Sequence, residues 1–154
     1  MSDVRHTLVH PTDFSEGTQP ALSLALNTAR RHDAELLLVH VLQPAAPIGD
    51  VGLARGVDAR AEAEAAARRE FDRLLHVAKE AGVHASDVLL DGAPAVEIAR
   101  VAKERKASLI VMAAPGRSTV RVGCARGVTE DVIVMAPCWV VVVRGALGVR
   151  PCAA

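Results

Sequence analysis

Five short apolar runs, each separated from the next by a stretch of helical periodicity, restrict this chain to one kind of architecture. His6–His10, Glu35–Leu42, Ala85–Leu90, Leu109–Ala114 and Trp139–Val143 read as strands. They are apolar with little alternation, as strands are when helices cover both faces of a sheet. The first helical segment follows Pro11-Thr12-Asp13, with Asp13 and Glu16 at capping-box spacing and Ser15 as a competing N-cap. It places Leu22, Ala25, Leu26 and Ala29 on one face. Gln43–Val57, with two prolines and three glycines, reads as a loop. The spacing then predicts a long helix over Asp58–Ala81, stopped by Gly82, with Ala67, Phe71, Leu74, Leu75 and Ala78 as its apolar stripe and Glu64/Arg68 paired on the wet side. A third helix is expected over Ala95–Lys106, with Pro94 near its first turn and Ile98, Val101 and Ala102 facing inward. A fourth opens near Gly127 and is stopped by Pro137. Strict β-α alternation implies a single-domain α/β fold: an open five-stranded parallel sheet with helices on both faces and right-handed crossovers.

A chain of 154 residues fits one such domain and can bury a full core. It is 51% hydrophobic but only 2% aromatic, so Ala, Val and Leu must build that core. Zero formal net charge argues against a general electrostatic affinity for nucleic acid or anionic membrane. No run approaches transmembrane length and the N-terminus lacks a signal-peptide apolar region, so no membrane insertion is expected. Cys124, Cys138 and Cys152 make an odd number without paired spacing, which suits reduced thiols and a cytoplasmic protein.

Parallel sheets bind ligands beyond the carboxyl ends of their strands, where the strand order reverses. Those ends carry Pro11-Thr12-Asp13, His40-Val41-Leu42 and Met112–Gly116. The last of these runs into a loop with Arg117, Arg121 and Arg126, then a helix start, the arrangement that offers unpaired N–H groups and a positive dipole end to phosphate. His10 and His40 fall near the ends of neighbouring strands. Without a third ligand they read as satisfied histidines, and no metal is required. Cys124 lies between arginines that could lower its pKa, though an ordinary free thiol is the default; Cys138 reads as packing. A nucleophile–base pair and a Gly-x4-Gly-Lys-Ser/Thr loop are both missing, which argues against an enzyme.

The segment LVHPTDFSEGTQPALSLALNTARRHDAELLLVHVL resembles the opening of a universal stress protein, with Asp13-Phe14-Ser15 as the strand-end Asp-x-Ser. DGAPAVEIARVAKERKASLIVMA and APCWVVVV resemble that family's third helix, fourth strand and closing strand. The resemblance covers Arg5 to Arg144, giving a domain over 1–144 and a flexible tail over 145–154. It implies a Rossmann-like, adenine nucleotide alpha-hydrolase-like fold, and a stress-response regulatory module without turnover that acts with an unidentified protein partner. The implied ligand is AMP, ADP or ATP, held by residues among Pro11, Thr12, Asp13, Val41, Met112, Ala113, Gly116, Arg117, Arg126 and Gly127. It also implies a homodimer through Val140, Val141, Val142 and Val143, which agrees with the liability of a bare apolar edge strand.

The family's phosphate motif, Gly-x2-Gly-x9-Gly-Ser/Thr, falls on Ala113, Gly116, Arg126 and Gly127, so only Gly116 is kept. Asp131, in the first turn of the following helix, would compete with phosphate for the dipole. Against these departures, Arg117, Arg121 and Arg126 could supply guanidinium groups in place of the lost glycine geometry. Two alternatives follow: an interaction module that binds no nucleotide, or a slow ATPase on the same scaffold.

Overall fold

The computed structural model describes residues 6–44, 49–114 and 127–145, with the backbone alone described for 49–57. The elements alternate: β1 (Thr7–Pro11), a 3-10 turn (Glu16–Thr18), α1 (Gln19–His32), β2 (Glu35–Leu42), α2 (Gly49–Glu80), β3 (Ala85–Asp91), α3 (Pro94–Glu104), β4 (Leu109–Ala113), α4 (Val128–Met135) and β5 (Trp139–Val143). The strands form one five-stranded sheet in the order β3-β2-β1-β4-β5. Every pairing is parallel. The chain builds outward from β1 through β2 to β3, then returns to the other side of β1 for β4. The strand order therefore reverses between β1 and β4.

Successive strand residues go to opposite layers, which is why these strands show no apolar/polar alternation. Leu8, Leu36, Leu38 and Val111 pack under α1 and α2 with Leu22, Ala25, Phe71 and Leu74. Val9, Leu37, Val39, Ile110 and Met112 pack on the other face with Ile98, Val101, Ala102 and Val132. Apart from Phe71 and His10, the largest fully buried side chains are Leu, Ile and Val, so the core is mainly aliphatic as the composition implies. Pro20 in the first turn of α1 and Pro94 in that of α3 sit where a missing N–H costs nothing.

Two expectations need correction. α2 begins at Gly49, so 49–57 is helical backbone rather than loop. Extending an existing helix avoids the nucleation cost. Gly52 and Gly56 each weaken it by only about 1 kcal/mol relative to alanine, while Leu53, Ala54 and Arg55 are good helix formers. The Glu64/Arg68 pair is also replaced. Arg60 takes Glu64 at 3.1 Å, and Arg68 reaches out of its helix to Asp87 of β3 at 2.9 Å. Arg60 also bonds Asp91, so two arginines tie α2 to the outer strand β3.

The central strand carries an unusual repair. Pro11 ends β1 and has no N–H to donate. Continuing the Val9↔Ile110 register places Pro11 opposite Met112, where a backbone N–H would reach the Val111 carbonyl. That carbonyl instead accepts from His10 Nδ1 at 2.8 Å. The His10 ring is 0% exposed, and its Nε2 has no partner among the described residues. Burial pushes its pKa below the usual 6.5, opposed by the bond to Val111. The folded state thus binds fewer protons than the unfolded chain in the window below about pH 6.5. His10 should contribute full stability above that pH and lose it progressively as the pH falls towards the folded value. In urea titrations, His10→Asn, which keeps a donor for Val111 but cannot titrate, is expected to flatten this acid limb. An unchanged slope between pH 6.5 and 5, the range about the ordinary histidine pKa, would assign the acid sensitivity to other groups.

Candidate functional site

The reversal between β1 and β4 sets two strand ends side by side, and a different kind of polar group emerges from each. At the end of β1 the chain turns through Thr12–Thr18. Thr12 continues the ladder, donating its N–H to the Val39 carbonyl at 2.9 Å. Its buried Oγ1 accepts the Phe14 N–H at 2.9 Å and lies 3.4 Å from Thr18 Oγ1. Thr18 Oγ1 in turn donates to the Ser15 carbonyl at 2.7 Å. Pro11 and Thr12 are buried, so of the first three candidate residues only Asp13 presents its side chain to solvent.

Asp13 does not form the expected capping box. Its Oδ1 accepts both the backbone N–H of Ser15, at 2.9 Å, and the Ser15 hydroxyl, at 2.6 Å. Ser15 precedes the 3-10 turn without a side-chain cap bond. α1 starts later, at Gln19, because Pro20 fits only the first turn. Asp13 therefore folds its own loop while leaving Oδ2 without a partner among the described residues.

Phe14, between these two residues, has φ 63°. A non-glycine residue in that left-handed region costs roughly 1–2 kcal/mol. Two ring contacts offset the cost: Phe14 lies 4.6 Å from the His40 ring and meets Phe71 edge-on at 5.2 Å. Such pairs contribute roughly 0.5–1.5 kcal/mol each. His40 also donates from Nδ1 to the Thr12 carbonyl at 2.7 Å. Both histidines are thus bonded through Nδ1 to a backbone carbonyl. Among the described residues no group of three or more His, Cys, Asp or Glu could hold a metal ion. Val41, one step beyond His40, is half-buried against the α3 side of the sheet.

At the end of β4, Met112 is buried in the core, so only its backbone is available to a ligand. Ala113 is half-buried and Ala114 donates its N–H to the Val143 carbonyl at 2.8 Å. α4 starts beside this strand end: buried Thr129 places its Oγ1 3.5 Å from the Ala113 carbonyl. Ala114 and the start of α4 therefore lie together beside the end of β4. The N-cap of α4, Gly127, makes no side-chain cap bond, and Asp131 to the Gly127 carbonyl, at 3.2 Å, opens the helical ladder. The first-turn N–H groups of Val128, Thr129 and Glu130 are left for an acceptor from outside the helix. Glu130 and Asp131 in that turn already answer part of the dipole. Gly116, Arg117, Arg121, Cys124 and Arg126 lie outside the described residues. Cys138 is half-buried against the second core layer, and burial pushes its thiol pKa up, in keeping with a packing role.

Two contributors were not read from the sequence as parts of the site. Thr129 ties α4 to β4, and His40 ties β2 to the loop after β1. The signal for His40 was a lone ring in the otherwise apolar run ELLLVHVL; nothing local marks Thr129. Gly127 has φ −76° and ψ 161°, an extended backbone open to any residue, and a Cβ there would meet nothing within 4 Å. Gly127→Ser should fold unchanged and gain a few tenths of a kcal/mol from a better cap. A loss of more than about 1 kcal/mol in urea titration would show that the glycine is required.

A model of the universal stress protein family matches residues 5–144. A universal stress protein of Methanocaldococcus jannaschii is 31% identical over 144 residues, covering 89% of this chain and 81% of that protein. Among solved structures, the universal stress protein UspA from Lactobacillus plantarum superposes with a TM-score of 0.78 at 25% identity, covering 92% of this chain and all 100% of that one. A universal stress protein solved in complex with cAMP superposes with a TM-score of 0.66 at 27% identity, covering 91% of this chain and 97% of that one.

Proposed function

The chain belongs to the universal stress protein family, and on that premise we propose that it is a regulatory module without turnover. In this reading an adenine nucleotide binds between the ends of β1 and β4 and biases its association. The observation that carries the proposal is the pairing of a helix N-terminus, uncapped among the described residues and packed beside β4 with Thr129 Oγ1 3.5 Å from the Ala113 carbonyl, with an adjacent strand end that presents Asp13. The α4 N–H groups suit a phosphate, and the Asp13 Oδ2, without a partner among the described residues, suits the paired hydroxyls of a ribose. The relative solved with cAMP supports an adenine nucleotide as the class of ligand. Arg117 and Arg126 would add charge to the phosphate side.

The test is to denature freshly purified protein, assay the supernatant for adenine nucleotide, and titrate refilled protein with AMP, cAMP and ATP calorimetrically. Binding is expected with a dissociation constant on the order of micromolar, about −8 kcal/mol, and without hydrolysis of ATP. Neither released nucleotide nor heat at millimolar concentration would sink the proposal. That result would favour the second reading, a partner-binding module, which draws support from Ala113 and from the acidic residues Glu130 and Asp131 at the α4 start.

The proposed assembly is a homodimer through β5. Trp139 is 82% exposed on this edge strand, and Val141 and Val142 are 37% exposed each. α4, joined to β5 by Ala136, Pro137 and Cys138 alone, exposes Ile133, Val134 and Met135 as well. Apolar surface beside unpaired backbone groups favours pairing with a second copy. Light scattering at micromolar concentration should give twice the chain mass of 16.2 kDa. Val141→Lys, which puts a charge on that edge, should give the monomer mass with thermal stability retained. A wild-type monomer across that range would rule the dimer out.

A further inference from the structure

We infer that His40 is a positioning residue for the Asp13 carboxylate: its Nδ1–H pins the loop after β1 to the end of β2. The inference rests on the proposed nucleotide site for its consequence, though not for its geometry. Thr12–Thr18 satisfies itself almost entirely from within. Phe14 N–H goes to Thr12 Oγ1, Ser15 N–H and hydroxyl go to Asp13 Oδ1, and Thr18 N–H and hydroxyl go to the Ser15 carbonyl. Such a loop holds its own shape, and it is set on the fold by the Phe14 ring, which packs on Phe71, and by its bonds to β2.

Two hydrogen bonds join it to β2, and both arise at Thr12. The N–H of Thr12 continues the ladder to Val39, and its carbonyl accepts from His40 at 2.7 Å. The same His40 ring lies 4.6 Å from Phe14, the residue in the left-handed conformation that separates Asp13 from Ser15. One side chain therefore holds the backbone just before Asp13 and the ring just after it. Because the acceptor is a carbonyl, Nδ1 must carry the proton. Val41, the next residue of β2, stands at the same sheet end. His40 thereby fixes the relative placement of two candidate contacts, one on the loop after β1 and one on β2.

Two variants separate the bond from the ring. His40→Phe keeps a ring against Phe14 and loses the donor. His40→Asn offers an amide N–H near the Nδ1 position and loses the ring. AMP affinity by calorimetry and amide hydrogen exchange at Phe14, Ser15 and Thr18 are measured for both. In His40→Phe the three amides should exchange faster while those of β1 and β2 stay protected, and AMP affinity should fall by roughly tenfold, the effect of one lost hydrogen bond. His40→Asn should restore both towards wild type. Unchanged exchange in His40→Phe overturns the pin, whatever AMP does. Equal impairment in both variants overturns it too, because the ring rather than the donor would then hold the loop. Faster exchange across the whole sheet would mark a general stability role and also count against it. If wild-type protein binds no AMP while the three amides respond as stated, the nucleotide reading fails and the pin stands.

Discussion

A proline at the end of the central strand sets a condition that the rest of the sheet must meet. β1 is the only strand joined to both halves of the fold, β2 on one side and β4 on the other. Its last residue cannot donate towards β4, and the carbonyl left waiting at Val111 lies deep in the sheet, where an unmet acceptor is costly. His10 answers it with a buried imidazole. The exchange satisfies that carbonyl, while Thr12 keeps a ladder bond to β2 alone before the chain turns. The opening between β1 and β4 at this level is thus a product of local backbone chemistry as well as of topology.

The loop that follows is held by compensation of a similar kind. Phe14 accepts an unfavourable backbone conformation because its ring finds His40 and Phe71. Phe71 belongs to α2 and is 1% exposed, so the loop that carries Asp13 rests on the first core layer rather than on solvent. On the opposite side of the crevice, Thr129 does for α4 what His40 does for the loop. A side chain from one element reaches the last carbonyl of another and fixes where its polar end points.

Much of this was legible in the sequence. The runs ELLLVHVL, LIVMA and WVVVV read as buried or edge strands at their lengths, and the prolines at 94 and 137 mark helix limits. The assignment to the universal stress protein family, the five-stranded parallel sheet and the placement of β5 at its edge all follow from that pattern and its resemblance. The errors have physical causes. Residues 49–57 contain glycines that signal a loop locally, but a long helix can absorb them once it is nucleated. Asp13 and Glu16 have capping-box spacing, yet Ser15 offers both a backbone and a side-chain donor two residues away, and Pro20 delays the helix. Arg68 was matched to the neighbour visible along the helix, because Asp87 comes close only in three dimensions. The pins His40 and Thr129 escaped for the same reason: each bonds a carbonyl far from it in the chain.

The two outer strands of the sheet are finished differently. β3 carries Asp87 and Asp91, each engaged by an arginine of α2, so its free margin is charged and partly roofed by a helix. β5 has valines and a bare tryptophan. A sheet with two open margins can add copies at both and grow without limit, whereas one with a single open margin is spent after one encounter. Charge of this kind on β3 disfavours strand addition there, while β5 carries none.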